Sequence, residues 1–179
     1  MNIQDTYQKT LLFAARQHQS IGQTIPGTDL PYIIHLSNVA MELIIAAGHS
    51  EDINLEFALP VALLHDVIED TPIKVEDIID EYGNEIALGV LALSKNKSLP
   101  NALQLPDSLK RIKQQRSEIA CVKLADRITN LQAPPSIWSR EKIADYYQES
   151  LLIKEKLKGS NAFLESRLEN KLVEYSSYF

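Results

Sequence analysis

The chain has 179 residues, 45% hydrophobic and 23% charged, with a net charge of −6 at pH 7, which suits one domain (1–179) with a sizeable core and argues against a disordered chain or a general nucleic-acid binder. Its one cysteine, Cys121, excludes an intramolecular disulfide and a cysteine-rich zinc site, and its apolar neighbours suggest a packed thiol. The first residues lack the basic start and apolar run of a signal peptide, and no apolar stretch approaches the ~18 residues of a membrane span, so a cytoplasmic protein with no membrane partner is expected.

Apolar residues recur at helical rather than alternating spacing, interrupted by Gly, Pro and Asn, which predicts an all-α fold, a bundle of about nine to ten helices. The first helix, 5–18, carries Arg16 and ends at His18, which reads with His49 as an ordinary surface or loop residue. After a loop over 19–30, the run Pro31-Tyr32-Ile33-Ile34-His35 leads a histidine through apolar residues into helix 34–47, closed by Gly48. The next helix, 55–70, holds the most informative stretch: Ala62-Leu63-Leu64-His65-Asp66-Val67-Ile68-Glu69-Asp70-Thr71. At helical spacing His65 and Glu69 share one face, and Asp66 and Asp70 form a second pair beside it. The apolar run before them implies burial, where unpaired carboxylates repel one another and lose hydration, and a divalent cation resolves both problems. Pro60 lies inside this helix, which should therefore kink or begin later.

Helices 75–82 and 84–94 follow, separated by Gly83, then a loop over 95–106, helix 107–115, and helix 118–131 containing Val122-Lys123-Leu124-Ala125-Asp126-Arg127. The loop over 132–138 leads to helices 139–158 and 161–175, parted by Gly159. The long Gly-, Pro-, Ser- and Asn-rich loops are candidate rims of a site. From Lys95 to Arg127 eight basic residues stand against three acidic ones, a local charge of +5 that reads either as a patch for a small polyanion or as a solvated lysine-rich face.

His35, His65, Asp66 and Asp126 thus form a set of two imidazoles and two carboxylates from three segments. With no thiolate, it favours Mn²⁺, Fe²⁺, Zn²⁺ or Mg²⁺ in a catalytic site over a structural zinc. Four protein ligands leave positions open on a six-coordinate ion, where a water would be acidified and a phosphoryl oxygen polarised. Glu69 and Asp70, one turn further on, could orient or deprotonate that water, or one could instead orient a ligand histidine.

In this order, PYIIH, LLHDVIEDT and VKLADRITNL resemble the signatures of the HD phosphohydrolase superfamily, and within it the (p)ppGpp hydrolase domain of Rel/Spo proteins and the stand-alone small alarmone hydrolases, over residues 16–161. The resemblance implies one Mn²⁺, catalytic roles for Glu69 and Asp70, and removal of the 3′-pyrophosphate of guanosine tetra- or pentaphosphate to give GDP or GTP. It implies a small-molecule nucleotide polyphosphate as partner, with no nucleic acid and no membrane, and leaves the oligomeric state open. It also implies nucleotide contacts by Arg16 at the base, Asn130 at the ribose or phosphate, and Lys142 and Tyr146 near the phosphates, with Lys95 and Arg111 as further cations. Each has a structural alternative: solvated cation, helix cap or core aromatic.

The chain departs from the family where residues 19–26 replace a basic residue found beside the guanine in many relatives, and where Glu141 stands in place of a histidine of some animal relatives. No synthetase sequence follows, which points to a dedicated hydrolase. Two rivals share these motifs: a 2′-phosphatase of NADPH, since animal relatives of similar length are associated with that reaction and both substrates carry phosphate on a ribose secondary hydroxyl, and a non-catalytic nucleotide sensor.

Overall fold

The structure is a computed structural model and describes residues 2–179. Among the described residues there are ten α-helices, a closing 3-10 turn at Ser176–Tyr178 and no strand beyond an isolated bridge between Thr24 and Pro31, in accord with the all-α expectation. The helices are α1 Ile3–Ser20, α2 Ile33–Ala47, α3 Leu55–Leu64, α4 Val67–Asp70, α5 Val75–Tyr82, α6 Asn84–Leu93, α7 Asn101–Ile112, α8 Ser117–Asn130, α9 Arg140–Lys156 and α10 Ala162–Tyr175. Short polar side chains start several of them. Asn2, Asn54, Ser139 and Asn161 each accept a first-turn backbone N–H, removing an orphan donor.

The bundle is organised around α3. Every residue from Phe57 to Leu64 is buried, so this helix is apolar on all sides, and α1, α2, α6 and α8 pack around it. Gly89 of α6 permits part of that contact, since a Cβ there would overlap Ile119 Cδ1 of α8 and stand 3.6 Å from Val61 Cγ2. The outer helices show ordinary amphipathic stripes; α10 buries Leu164, Leu168, Leu172 and Tyr175. Cys121 is buried as expected, and burial pushes its thiol up to about 12.

The structure corrects the sequence reading at two places. Helix 55–70 is not continuous: α3 begins at Leu55 and passes through Pro60, and it is at His65 that it ends. There the imidazole Nδ1–H donates to the Ala62 carbonyl at 2.7 Å, taking the acceptor that a continuing helix would offer to the Asp66 N–H. A turn at His65 and Asp66 then leads to α4, so the predicted pairing of His65 with Glu69 on one uninterrupted face does not hold. The second correction concerns 95–106, whose second half is helical from Asn101 onward. The buried stripe of α7, Leu105, Ser108, Leu109 and Ile112, outweighs Pro106, whose ring faces water, and the Gln104 amide donates to Leu99 O at 3.0 Å and Asn101 Oδ1 at 3.2 Å.

Candidate metal centre

Three elements converge on one point. α2 contributes His35 in its first turn, the turn after α3 contributes His65 and Asp66, and α8 contributes Asp126 near its C-terminal end. Ligand atoms of His35, His65 and Asp126 all lie within 4.8 Å of one another, and the three residues are buried. Asp126 Oδ1 is 3.4 Å from His35 Nε2 and 3.6 Å from His65 Nε2; Asp66 Oδ2 is 2.9 Å from His65 Nε2 and 3.9 Å from His35 Nε2. The Nε2 atoms of both histidines are buried without a hydrogen-bond partner. Two inward-facing nitrogens beside two carboxylates fit a divalent cation, and the Nδ1–H bond of His65 to Ala62 O leaves its Nε2 as the ligating atom.

The electrostatics agree. Burial opposes a charged His65, but the carboxylates of Asp66 and Asp126 outweigh it and hold its pKa well above the ordinary histidine value. Burial likewise opposes charge on Asp126, yet Lys123, His35 and His65 keep its carboxyl well below the usual range, and Asp66 is lowered chiefly by His65.

The candidate ligands are themselves held. The Tyr32 hydroxyl donates to Asp66 Oδ2, Lys123 Nζ lies 2.9 Å from Asp126 Oδ2, and the Asn130 amide donates to Asp126 Oδ1 at 2.6 Å. Tyr32 and Lys123 stand inside the very strings quoted for the histidine and the aspartate, yet spacing alone did not mark them. Next to Asp126, buried Arg127 lies over the Tyr146 ring at 4.0 Å and donates to Ser150 Oγ at 3.2 Å and Glu149 Oε2 at 3.3 Å, fastening α9 to α8.

A cleft of about 320 Å³ opens beside His35, lined by Asn38, Asn130, Trp138 and Tyr146 among others. Asn130 and Tyr146, expected as nucleotide contacts, therefore share a cavity with a candidate ligand. Burial raises the Tyr146 pKa, keeping a neutral hydroxyl there. Lys142 is exposed, its Nζ 4.3 Å from the centre of the Trp138 ring that lines the cleft. Arg16 is exposed on α1, and a second cavity of about 360 Å³ is lined by Ala15, His18, Gln23 and Tyr32.

The remaining sequence candidates lie around α4. Glu69 Oε2 accepts the Lys95 backbone N–H at 2.8 Å, and Asp70 Oδ2 accepts from Gln23 Nε2 at 2.8 Å. Lys95 lines a third cavity, of about 460 Å³, with Glu69, Lys97 and Arg111. Arg111 is not the free cation the sequence suggested: its guanidinium bonds Asp107 Oδ2 at 2.8 Å, Ser94 O at 2.7 Å and Leu91 O, securing the end of α6. The +5 segment is similarly tempered, because Arg116 pairs with Glu85 and Glu118, Lys123 with Asp126, and Arg127 with Glu149. His18 is also corrected: it is buried beneath the loop after α1, with Nδ1 2.5 Å from Gln23 Oε1 and its ring 4.9 Å from Tyr32.

An all-α bundle gathers a histidine from one helix, a His-Asp pair from the end of a central helix and an aspartate from a third, the arrangement expected from the resemblance to HD phosphohydrolases. No protein-family profile matches the chain. It is 30% identical over 171 residues, 93% of this chain and 92% of the relative, to the guanosine-3′,5′-bis(diphosphate) 3′-pyrophosphohydrolase MESH1 of Danio rerio. It is 29% identical to the protein of the same name from Homo sapiens, covering 88% of each. A solved structure of a metazoan orthologue of SpoT, described as hydrolysing ppGpp and playing a role in starvation responses, superposes with a TM-score of 0.82 over 97% of both chains at 27% identity. The chain belongs to the guanosine-3′,5′-bis(diphosphate) 3′-pyrophosphohydrolase family.

Proposed function

We propose that this protein is a Mn²⁺-dependent 3′-pyrophosphohydrolase of guanosine tetra- and pentaphosphate, cleaving the ribose 3′-pyrophosphate to leave GDP or GTP. The observation that carries this reading is the pair of buried, unpartnered Nε2 atoms of His35 and His65 facing Asp66 and Asp126 at the edge of the cleft that holds Asn130 and Tyr146. The similarity to proteins named for this reaction supplies the substrate class.

His35, His65, Asp66 and Asp126 would hold the ion, and Fe²⁺, Zn²⁺ or Mg²⁺ suit the same donors. What a bound ion supplies is Lewis acidity toward a phosphoryl oxygen and a water nucleophile. The chain's own residues do the rest. Glu69 and Asp70 orient the attacking water and take its proton, their carboxylates held by Lys95 N–H and Gln23. Asn130 steadies Asp126 and reaches toward the ribose; Tyr146, packed by Trp138 and Arg127, and Lys142 over the Trp138 ring meet the phosphates, while Arg16 lies toward the base. Lys95 adds positive charge beside Glu69.

The test is release of pyrophosphate and GDP from ppGpp by metal-stripped protein with and without Mn²⁺, with NADPH in parallel. Mn²⁺-dependent pyrophosphate release is expected. Phosphate release from NADPH alone would transfer the site to that 2′-phosphate ester, and binding without turnover of either would make the protein a nucleotide sensor.

A further inference from the structure

Asp70 does not reach its place unaided. Its Oδ2 accepts from Gln23 Nε2 at 2.8 Å, and Gln23 Oε1 lies 2.5 Å from His18 Nδ1, so a three-residue chain runs from the buried end of α1, through the following loop, to the end of α4. The direction of every bond follows from chemistry. An ionised carboxylate only accepts, so the Gln23 amide must turn its NH₂ to Asp70 and its oxygen to His18; that oxygen only accepts, so His18 must carry its proton on Nδ1. The reverse orientation would set the Gln23 carbonyl against a carboxylate.

The chain is also rigid. The Gln23 N–H donates to His18 O at 3.0 Å, and the Gln23 carbonyl accepts the Tyr32 N–H at 3.3 Å, so the backbone that carries the amide is pinned on both sides. His18 is 1% exposed and its ring rests against Tyr32, which rests in turn against His35 at 5.1 Å and donates its hydroxyl to Asp66. One row of tilted rings therefore supports a candidate metal ligand at one end and the Asp70 carboxylate, through Gln23, at the other.

We propose that Gln23 and His18 are positioning residues for the hydrolytic reaction: Gln23 aims the Asp70 carboxylate, and His18 fixes the orientation of the Gln23 amide. The proposal rests on the assignment of Asp70 to the hydrolytic machinery. Burial lowers the His18 pKa despite the opposing influence of Gln23, Asp66 and Asp70, in keeping with a neutral ring.

The test compares Gln23→Met, which keeps length and removes the donor, with His18→Leu and His18→Asn, at saturating Mn²⁺ with ppGpp. Gln23→Met and His18→Leu are expected to lower kcat by about tenfold, as losses of supporting hydrogen bonds commonly do, with KM and metal content unchanged. His18→Asn should recover most of the loss, because its amide places an N–H near the position of Nδ1, whereas a purely structural role for the ring would leave Asn no better than Leu. In an Asp70→Asn background, Gln23→Met should cost nothing further. A crystal structure of the Gln23→Met protein, expected to show Asp70 rotated away, reads the positioning without turnover. Wild-type kcat in Gln23→Met, or an undisplaced Asp70, would overturn the proposal; failure of the wild-type protein to act on ppGpp, with Asp70 displaced in the variant, would overturn the functional reading alone.

Discussion

Replacing Tyr32 with Phe isolates one hydroxyl whose single partner is Asp66 Oδ2. The ring contacts, 4.9 Å to His18 and 5.1 Å to His35, survive the change, so the fold should too. A hydrogen bond to a charged group contributes about 1.5–3 kcal/mol, and the Asp66 side chain is 21% exposed, so water replaces part of the loss and the lower end applies. With the hydroxyl gone, Asp66 is free to turn toward solvent or toward His65, and a cation must recover it. About 1.4 kcal/mol corresponds to a tenfold weaker Kd for Mn²⁺. Chelator competition or calorimetry measures it, with kcat at saturating Mn²⁺ expected near wild type. An unchanged Kd in a folded Tyr32→Phe protein would refute the view that Asp66 is a ligand held by Tyr32.

Glu69→Gln should retain metal and lose most turnover, read by metal analysis and pyrophosphate release on the same sample; full activity would remove Glu69 from the chemistry. Metal-stripped protein should be most stable between pH about 4 and 6.5, measured by thermal melts. The raised native pKa of His65 stabilises fully below the unfolded value and is lost as pH rises through the native one, while the depressed Asp66 and Asp126 stabilise above their unfolded value and lose that contribution as pH falls through their native ones. Added Mn²⁺ should therefore raise Tm most on the alkaline side. Leu63→Ala, at a fully buried position of α3, should cost about 2–5 kcal/mol in denaturant unfolding.

The helical bundle was legible because burial in such folds writes a period along the chain, and the burial of α3 could be read from its apolar run. The candidate metal group of His35, His65 and Asp126 was legible for a related reason, since an imidazole or carboxylate inside an apolar stretch is conspicuous. What escaped were features made by contacts across the chain. His18 sits in the polar run His18-Gln19-Ser20 and looks solvated until residues 21–32 fold back over it through Gln23 and Tyr32. The break at His65 arises when a side chain outcompetes a backbone N–H for one carbonyl, and nothing in local propensity records that rivalry. The bonds of Arg111 to the Leu91 and Ser94 carbonyls escaped because those residues belong to a different helix end.

Asp126 and Arg127 are consecutive residues of α8, one facing the histidines and the other gripping Tyr146, Glu149 and Ser150 of α9. The cleft wall at Tyr146 and the candidate cation ligand Asp126 are thus joined through a single peptide bond and the Arg127 side chain. Coupling of this kind is reciprocal by thermodynamic necessity: whatever factor the nucleotide adds to cation affinity, the cation returns to nucleotide affinity. A change that loosens the grip of Arg127 on α9 is therefore expected to be felt at the Asp126 carboxylate, one residue away.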